Sequence, residues 1–277
     1  MPDKALYGVV GDPISHSLSP LIHNGWLRAE GIPAEYRAFQ IPAGDFEAGM
    51  KTLEAQDIHG LNVTLPHKEA ALAYCSDLGM SAAQIGAVNT MVYEFNGTWR
   101  GENTDLSGFI RGAKLGGLGN LEGLNALILG AGGAARAVVA ALKDSGANIR
   151  IANRTLERAQ SLAKRFGLAE ENCLTLNDGL SLAYSADIVV NTTSLGYSGD
   201  LEFRWPDGTG RFLYDISYGK AAQRILRPAA DEGWQTLDGL GMLVGQAAAA
   251  FELWFDISPD EDEAYARCRH ALEAAGA

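Results

Sequence analysis

A short glycine-rich segment, Gly-Ala-Gly-Gly-Ala-Ala at residues 130–135, constrains the fold of this chain more than any other feature of its sequence. Four apolar residues, Ala126–Leu129, precede it and are typical of a buried strand, and an alanine-rich stretch with helical spacing, Gly133–Leu142, follows. The first glycine permits a sharp bend, the second lets a pyrophosphate approach the backbone, and small residues let helix and strand pack closely. The free N–H groups at the helix start attract an anion. The segment therefore predicts a dinucleotide-binding domain.

The residues that select the cofactor follow a second predicted strand, Ile149–Ala152. A site for NAD usually carries Asp or Glu at this point, to bond the ribose hydroxyls. This chain has Asn153-Arg154-Thr155 instead, and then Arg158. A guanidinium can hold the 2′-phosphate of NADP through two charge-assisted hydrogen bonds. Arg158 alone is equally well explained as a solvated residue at a helix start, but the missing acid beside Arg154 favours NADP.

Strand and helix signals alternate on both sides of a glycine-dense stretch, residues 112–123, which is typical of a loop between two units. A chain of 277 residues is close to the limit for one hydrophobic core, so two domains are expected. The predicted strands are Ala5–Val10, Tyr36–Ile41, His59–Val63, Ala87–Tyr93, Ala126–Leu129, Ile149–Ala152, Ile188–Asn191, Phe212–Ile216 and Thr236–Leu237. The predicted helices are Pro20–Ala29, Phe46–Leu53, Gly133–Leu142, Leu156–Phe166, Leu240–Phe255 and Glu261–Ala274. This alternation predicts an α/β fold with a mostly parallel sheet covered by helices.

Composition argues against several classes of partner. The formal net charge of −12 argues against nucleic acid, since a phosphate backbone demands a basic face. The three cysteines, Cys75, Cys173 and Cys268, lack the spacing of a zinc site, which favours a reduced intracellular protein. No apolar run reaches the ~20 residues of a membrane helix, and the N-terminus leads into a strand without a signal peptide. We therefore expect a cytoplasmic protein with no metal, membrane or nucleic-acid partner.

Polar residues follow the predicted strands of the first half. A serine-rich loop, residues 11–20, comes after the first strand, and Ser19 is also the expected N-cap of the next helix. Further polar groups occur at residues 62–68, 89–90 and 103–105. Ligands of parallel sheets bind at the carboxyl ends of the strands. One such segment would be unremarkable, but their recurrence predicts a pocket for a hydroxylated, anionic ligand.

The two halves together predict a chemistry. A nicotinamide cofactor supplies a hydride but no proton, so reduction of a ketone to an alcohol also needs a proton donor at the carbonyl oxygen. Lysine can donate that proton and an aspartate beside it would fix its position, which makes Lys68 and Asp105 the candidates. His16, His23 and His67 are rival acids, although such histidines are more often hydrogen-bonding residues. The sequence thus predicts an oxidoreductase acting on a CH–OH group.

Several segments closely resemble motifs of the shikimate dehydrogenase family. They lie in the family's order across residues 8–254, nearly the whole chain, and jointly they are highly specific. In the first half they are Gly-Asp-Pro-Ile-Ser-His-Ser-Leu-Ser-Pro, Asn-Val-Thr-Leu-Pro-His-Lys, Gly-Ala-Val-Asn-Thr and Glu-Asn-Thr-Asp. In the second half they are Gly-Ala-Gly-Gly-Ala, Asn-Arg-Thr, Asn-Thr-Thr-Ser and Gly-Leu-Gly-Met-Leu-Val-Gly-Gln.

The resemblance implies a reversible, NADP-dependent reduction of 3-dehydroshikimate to shikimate, in the shikimate pathway of aromatic amino-acid biosynthesis. It implies that Lys68 is the catalytic lysine and Asp105 its partner. The residues implied to hold the substrate's carboxylate and hydroxyls are Ser17, Ser19, Thr64, Asn89, Asp105, Tyr218 and Gln246. The residues implied to bind the cofactor are Gly130, Ala131, Gly132, Gly133 and Ala134 in the turn, Asn153, Arg154, Thr155 and Arg158 at the adenosine phosphate, and Ile216 and Gly239 near the nicotinamide.

The resemblance also implies a discontinuous first domain. Residues 1–104 and 240–277 would form the substrate-binding and catalytic domain, because the last two helices return to the N-terminal sheet. Residues 105–239 would form an NADP-binding Rossmann domain, in a monomer or a homodimer. The chain departs from the family at Asp12, where many relatives carry Asn, and at Ile216, which replaces a methionine common in the biosynthetic branch.

Two alternatives stay open at the level of sequence. The first is a quinate/shikimate or aminoshikimate dehydrogenase of a catabolic or secondary pathway. Asn-Arg-Thr at 153–155 argues against an NAD-preferring branch, and Ser17 with Ser19 fits the carboxylate of shikimate. The second is a non-catalytic sensor that binds NADP and a metabolite. Lys68 and Asp105 argue against a sensor, which has no need of a proton donor.

Overall fold

The computed structural model describes residues 4–198 and 203–276 of the chain. The chain divides into two compact units: Met1–Gly108 with Leu243–Ala271 form unit 1, and Phe109–Met242 with Leu272–Ala277 form unit 2. The predicted domain limits at residues 1 and 277 lie outside the described residues. Strands and helices alternate in both units, and the predicted α/β class is confirmed. None of the described helices is long and apolar enough to cross a membrane.

Unit 1 is built on a mixed sheet. Its strands are β1 (Ala5–Gly11), β2 (Ala34–Gln40), β3 (Ile58–Val63), β4 (Asp77–Leu78), β5 (Thr90–Tyr93) and β6 (Trp99–Glu102), paired in the order β2-β1-β3-β5-β6-β4. Its first helices are α1 (Ser19–Ala29), α2 (Phe46–Glu54), α3 (Lys68–Tyr74) and α4 (Met80–Ile85). The pairs β1–β2, β1–β3 and β4–β6 are parallel, whereas β5 runs antiparallel to both of its neighbours. The antiparallel arm is a departure from the alternation that the sequence predicts.

The hairpin of β5 and β6 explains this departure. Only five residues separate Tyr93 from Trp99, because the segment 94–98 lies between the strands. Two parallel strands need a crossover connection of a dozen or more residues. A connection of five residues therefore forces β5 and β6 to pair antiparallel. Two bonds close the turn, from Glu94 N to Thr98 O and from Gly97 N to Glu94 O, each 2.9 Å long. The Phe95 side chain at the tip is fully exposed.

The core of unit 1 also takes in the end of the chain. Core residues with no exposed surface include Val10, Met50, Leu61, Ala71, Val88 and Met91. The chain re-enters unit 1 within α11 (Leu240–Phe255) and continues into α12 (Glu261–Ala274). The Trp254 indole N–H donates to the Met91 carbonyl at 3.1 Å, and the Trp26 indole N–H donates to the Asp260 carbonyl at 2.8 Å. These bonds attach the terminal helices to the N-terminal part of unit 1.

Unit 2 is built on a fully parallel sheet. It follows α5 (Asp105–Leu115) and contains β7 (Asn125–Leu129), α6 (Gly133–Asp144), β8 (Asn148–Asn153), α7 (Leu156–Arg165), β9 (Cys173–Thr175), α8 (Leu176–Ser181), β10 (Ile188–Asn191), α9 (Leu195–Ser198), β11 (Phe212–Asp215), α10 (Lys220–Asp231) and β12 (Gln235–Leu237). The strand order is β12-β11-β10-β7-β8-β9. From β7 the chain adds β8 and β9 on one side and then β10, β11 and β12 on the other. The boundary between β7 and β10 is therefore the position at which doubly wound sheets bind ligands. The glycine turn follows β7 directly.

Two details of the predicted elements are wrong. Gly112 lies inside α5 rather than in a loop. A Cβ there would stand 2.3 Å from the Tyr214 hydroxyl, so close packing explains the glycine at this helical position. Ser19 is the first residue of α1 rather than its N-cap, which is Leu18. The Ser17 hydroxyl accepts the free N–H of Ser19 at 3.2 Å instead, which satisfies one of the helix's unpaired donors.

Candidate active site

Polar segments of unit 1 meet at one edge of its sheet. Asn62, near the end of β3, is paired with Thr90, the first residue of β5, and Thr90 is paired with Glu102, the last residue of β6. Because β5 runs in the opposite direction to β3 and β6, its first residue lies beside their last ones. The segments around Asn62, Asn89 and residues 103–105 therefore converge. Asn89 was expected within the strand Ala87–Tyr93, but the strand begins at Thr90 and Asn89 lies just before it.

A buried ion pair lies at this edge. Lys68 is the first residue of α3, and its ammonium donates to Oδ2 of Asp105, the first residue of α5. The two side chains are 15% and 8% exposed. The Asp105 carboxylate stands at a helix N-terminus, where the partial positive charge of the backbone stabilises an anion. Two buried charges stay ionised only when they are well paired, so this arrangement holds a protonated amine in one fixed position.

Asn89 supports the carboxylate from its other side. Its Nδ2 donates to Asp105 Oδ1 at 2.8 Å, and its Oδ1 accepts the backbone N–H of Thr104 at 2.7 Å. The Asp105 backbone N–H in turn donates to the Asn103 side chain at 3.0 Å. Asn89 is 2% exposed, so its amide has one orientation that satisfies all of these partners. The predicted residues Lys68, Asp105 and Asn89 thus lie together.

Gln246 joins this group from a distant part of the chain. It is carried on α11, and its Oε1 lies 3.5 Å from Asn89 Nδ2, while its Nε2 donates to the Leu243 carbonyl at 2.9 Å. The side chain is 9% exposed. Proximity of this residue to Asn89 depends on the return of the chain to unit 1, which only the family resemblance anticipates.

The remaining predicted substrate residues of unit 1 follow β1 and β3. Ser19 is buried and Ser17 is half-buried, and they are joined by the bond between Ser19 N and Ser17 Oγ. Thr64 is half-buried, and a Cβ built on Gly11 would lie 2.6 Å from its methyl carbon. The loops after these two strands therefore lie side by side, with Gly11 allowing their close approach.

The three rival histidines are placed differently. His16 is exposed in the loop after β1. His67 is buried, and its Nε2 lies 2.6 Å from the Ile41 carbonyl, which ties the loop before α3 to the end of β2. His23 is buried within an aromatic cluster, with its ring stacked 4.2 Å from that of Tyr36, and burial lowers its pKa to about 3. A histidine that stays neutral in this way has no proton to donate near neutral pH.

The glycine turn of unit 2 combines one strained position with two open ones. Gly130 has φ +110°, and a Cβ there would stand 2.4 Å from Thr192 Oγ1, so this position requires glycine. Its N–H donates to the Ala152 carbonyl at 2.8 Å, which links the turn to β8. A Cβ on Gly132 or Gly133 would meet no described atom within 4 Å. The first turn of α6 therefore presents its N–H groups to an open face that suits a pyrophosphate.

The residues predicted to read the adenosine phosphate lie at the end of β8 and the start of α7. Asn153 is half-buried, and its Nδ2 donates to the Thr155 carbonyl at 2.8 Å. Arg154, Thr155 and Arg158 are exposed. Two guanidiniums and a hydroxyl on one exposed segment suit a doubly charged phosphate, which Arg recognises through paired hydrogen bonds.

A buried carboxylate fixes the loop after β11, which carries Ile216 and Tyr218. Asp215 is fully buried and accepts bonds from Ser217 N at 2.8 Å, Ser217 Oγ at 2.6 Å and Asn191 Nδ2 at 2.7 Å. Burial raises the pKa of Asp215, and these donors oppose that effect. Neither Asp215 nor Asn191 was among the predicted site residues, although Asn191 begins the predicted Asn-Thr-Thr-Ser motif.

Gly239 lies against the same loop of unit 2. Its N–H donates to the Ser217 carbonyl at 2.7 Å, and a Cβ there would stand 2.0 Å from the Ile216 carbonyl oxygen. Glycine is therefore required where the segment after β12 crosses the loop after β11. Ile216 and Gly239, predicted to bind the cofactor, and Tyr218, predicted to bind the substrate, thus occur together at the carboxyl end of this sheet, where ligands of parallel sheets bind.

Three family descriptions match this chain. "Shikimate dehydrogenase substrate binding domain" matches residues 9–91, "Shikimate / quinate 5-dehydrogenase" matches residues 114–196, and "Shikimate 5'-dehydrogenase C-terminal domain" matches residues 239–269. A shikimate dehydrogenase (NADP(+)) of Hyphomonas neptunium is 49% identical, over 97% of this chain and 98% of that protein. Its counterpart in Acidiphilium cryptum is 41% identical, over 95% of this chain and 94% of that protein.

Solved structures give the same result. The shikimate dehydrogenase of Aquifex aeolicus superposes with a TM-score of 0.89 at 34% identity, covering 97% of this chain and 99% of its own. The shikimate 5-dehydrogenase of Thermus thermophilus, in complex with NADP(H) and shikimate, has a TM-score of 0.83 at 35% identity, covering 96% and 99%. Both similarities extend over the two units together with the helices that end the chain.

Proposed function

This chain belongs to the shikimate dehydrogenase family, and we propose that it catalyses the reversible, NADP-dependent reduction of 3-dehydroshikimate to shikimate in aromatic amino-acid biosynthesis. The observation that carries the proposal is the buried Lys68–Asp105 pair beside Asn89, in a chain that also has an open glycine turn. A proton donor and a place for a hydride carrier are the two things that a ketone reductase needs. Relatives that are named for this activity match nearly the whole chain.

Lys68 acts as the general acid in the proposed reaction. NADPH supplies the hydride to the carbonyl carbon when it is bound. The Lys68 ammonium gives its proton to the carbonyl oxygen as negative charge develops there, and the amine takes the proton back when the alcohol is oxidised. Asp105 holds the amine in place through the ion pair, and Asn89 holds Asp105.

The substrate is held by hydroxyl, amide and carboxylate groups in this proposal. They are Ser17, Ser19, Thr64, Asn89, Asp105, Tyr218 and Gln246. Shikimate carries one carboxylate and three hydroxyls, so side chains that form hydrogen bonds suit it. Five of these seven residues lie within 1–104 and 240–277, which we assign to the substrate-binding domain, and the match of residues 9–91 to a substrate-binding description supports the assignment.

The cofactor is held by residues 105–239 in this proposal. The turn formed by Gly130, Ala131, Gly132, Gly133 and Ala134 takes the pyrophosphate, because Gly132 and Gly133 face open space at the start of α6. Asn153, Arg154, Thr155 and Arg158 take the 2′-phosphate. Ile216 and Gly239, which pack against each other at the carboxyl end of the sheet, are assigned to the nicotinamide.

Steady-state kinetics on the purified protein test the proposal. Shikimate and quinate are each oxidised with NADP and with NAD, and the reverse reaction is followed with 3-dehydroshikimate and NADPH. We expect the highest kcat/KM for shikimate with NADP. A preference for quinate with NAD would instead identify a catabolic dehydrogenase. The Lys68→Ala protein, prepared identically, controls for a contaminating host enzyme. No NADPH oxidation by either protein would favour a non-catalytic sensor.

A further inference from the structure

Hydrogen bonds continue from the Lys68–Asp105 pair far into unit 1. The Tyr36 hydroxyl on β2 donates to Asn62 Oδ1 at 2.7 Å, and Asn62 Nδ2 donates to Thr90 Oγ1 at 3.1 Å. Thr90 Oγ1 then donates to Asn89 Oδ1 at 3.0 Å. Asn89 Nδ2 donates to Asp105, which accepts Lys68. We name this series Tyr36–Asn62–Thr90–Asn89–Asp105 the buried chain, and its five side chains are between 0% and 6% exposed.

The donors and acceptors at the start of the buried chain point toward its far end. Burial raises the pKa of Tyr36 well above its ordinary value, so its hydroxyl keeps a proton and gives it to Asn62 Oδ1. The amide nitrogen of Asn62 must then face Thr90 as a donor. Thr90 accepts that bond, and its single proton is left for a later member of the chain. The start of the series thus sets the orientation of the next two side chains.

The far end fixes the same direction independently. Asn89 Oδ1 accepts the backbone N–H of Thr104, which cannot rotate, so Asn89 Nδ2 points at Asp105. The hydroxyl oxygen of Thr104 lies 3.1 Å from that of Thr90 and is a second acceptor for the Thr90 proton, besides Asn89 Oδ1. The donors of Tyr36, Asn62 and Asn89 therefore face the carboxylate, and Thr90 can give its proton to Asn89 or to Thr104. Bonds aligned in one direction within a low-dielectric interior polarise and strengthen one another.

We propose that Tyr36 is a positioning residue for the reaction, which acts through the buried chain to hold the Asp105 carboxylate, and with it Lys68, in the geometry for proton transfer. The proposal rests on the function proposed above, since it concerns the same proton donor. Tyr36 is remote from the ion pair in sequence and lies on β2, whereas Lys68 and Asp105 begin α3 and α5. The hydrogen bonds through Asn62, Thr90 and Asn89 connect its hydroxyl with the pair.

The Tyr36 hydroxyl also interacts with a second residue of the site. The Ser19 side chain acts on it and opposes the effect of burial on the Tyr36 pKa. Ser19 is a residue that we assign to the substrate's carboxylate, so one buried hydroxyl connects that residue with the proton donor. A tyrosine that only filled space would need neither partner, and the stacking of its ring on His23 would be the same with phenylalanine.

Tyr36→Phe is the first test, because it removes the hydroxyl and keeps the ring. The loss of one net hydrogen bond to the chain should lower kcat about fivefold. The KM for NADP should stay unchanged, since the cofactor residues belong to unit 2. The matched control is Tyr74→Phe in the same unit, whose hydroxyl bonds to Glu54 at 2.8 Å outside the buried chain. Equal kcat values for Tyr36→Phe and Tyr74→Phe would overturn the proposal.

Thr90 supplies a second, independent break in the same series. Thr90→Val keeps the shape and removes the hydroxyl, so it should lower kcat about as much as Tyr36→Phe, about fivefold. Thr90→Ser keeps the hydroxyl and should restore most of the rate. The double variant Tyr36→Phe/Thr90→Val should be no slower than the slower single variant. Either substitution alone already interrupts the buried chain, so the second one removes no further support from Asp105. Multiplied losses in the double variant would contradict a shared chain.

A measurement without turnover separates this proposal from the proposed function. In ¹H–¹⁵N spectra, the Asn89 Nδ2 proton that bonds to Asp105 should move upfield in Tyr36→Phe and in Thr90→Val, as its bond weakens. It should stay in place in Tyr74→Phe, and Asn89→Asp identifies the signal by its loss. An unmoved signal would overturn the buried chain even in an active enzyme. A moved signal in a protein that does not reduce 3-dehydroshikimate would support the chain and reject the function.

Discussion

The polar site of unit 1 and the glycine turn of unit 2 differ in how complete they are without a ligand. In unit 1, Lys68, Asp105 and Asn89 bond to one another and are almost fully buried. In unit 2, Arg154 is exposed, and Gly132 faces open space. Groups that perform chemistry must be positioned before the reaction begins, whereas groups that hold an anion stay solvated at no cost until it arrives. Substitutions in the two regions should therefore fail in different ways.

The largest effect is expected at the preorganised site. Lys68→Ala removes the proton donor, so kcat should fall by a factor of about 10²–10⁴. Substrate affinity should change far less, because a proton donor acts mainly in the transition state. Steady-state kinetics give the split, with the exposed Lys114→Ala as a control. An unchanged kcat would exclude Lys68 as the acid.

The open region should lose affinity rather than rate. Arg154→Ala should weaken NADP binding about 10- to 100-fold, the value of one or two charge-assisted bonds. NAD binding should hardly change, since it lacks the 2′-phosphate. Calorimetric titration of each cofactor measures this difference. Arg150→Ala is the matched control, being an exposed arginine on β8, the strand that Arg154 follows. Equal losses for both cofactors would show that Arg154 does not read the phosphate.

Two glycines of the turn should separate folding from binding. Gly130→Ala forces a side chain into a positive φ and against Thr192, which should lower stability by roughly 1–3 kcal/mol. Gly132→Ala has an ordinary φ of −89° and meets no described atom, so its melting temperature should stay that of the wild type. It should nevertheless bind NADP more weakly, because its methyl group faces the anion. Thermal unfolding with and without NADP distinguishes the two, and a destabilised Gly132→Ala would contradict the open face.

The effect that is smallest at neutral pH concerns acid. His23 has a pKa of about 3 in the folded protein and of about 6.5 in the unfolded chain. Below pH 6.5 the unfolded chain therefore binds a proton that the folded protein does not, and stability is lost as the pH falls. The expected contribution is about 1.4 kcal/mol for each pH unit in this window. His23→Phe should lose that slope in urea unfolding, and the exposed His270→Phe should keep it. Identical slopes for wild type and His23→Phe would show that His23 titrates normally.

Asp215 makes the opposite contribution in unit 2. Burial raises its pKa above the ordinary 3.8, so the unfolded chain releases its proton first as the pH rises. The folded state therefore loses stability as the pH rises from 3.8 to the raised value. A fall in pH thus lowers the stability that neutral His23 gives unit 1, and it neutralises the buried charge of Asp215 in unit 2. The comparison between the units extends from their ligand sites to their interiors.

Much of the fold follows from local sequence signals. The segments Ile188–Asn191, Leu240–Phe255 and Glu261–Ala274 have the predicted limits, since long periodic helices and short apolar strands are marked by their own residues. The β5–β6 hairpin and the helical Gly112 were missed, because they depend on a short connection and on a close approach to Tyr214. The family, the enzyme class and the cofactor predicted from the motifs are confirmed by the relatives.

The site divides along the same line. Polar segments that recur in the first half contain Lys68, Asn89 and Asp105, so the sequence alone directs attention to them. Tyr36 gives no such signal, because a tyrosine in a strand is ordinary and its hydroxyl partner is 26 residues away. Asn62 lies within a recognised motif, and its position beside the ion pair is evident only once β3 and β5 are paired. Catalytic roles for all of these residues stay predictions until the variants are measured.

The β5–β6 hairpin has a practical consequence for work on this protein. Its two ends, Thr90 and Glu102, lie at the edge of the sheet that carries the ion pair, whereas its turn at residues 94–98 lies a strand's length away. The turn contains the exposed Phe95. Exposed turns are where added residues are best tolerated. A fluorophore, an affinity tag or a surface tether attached at Asn96 or Gly97 would report on the enzyme or immobilise it while leaving the ion pair as it is.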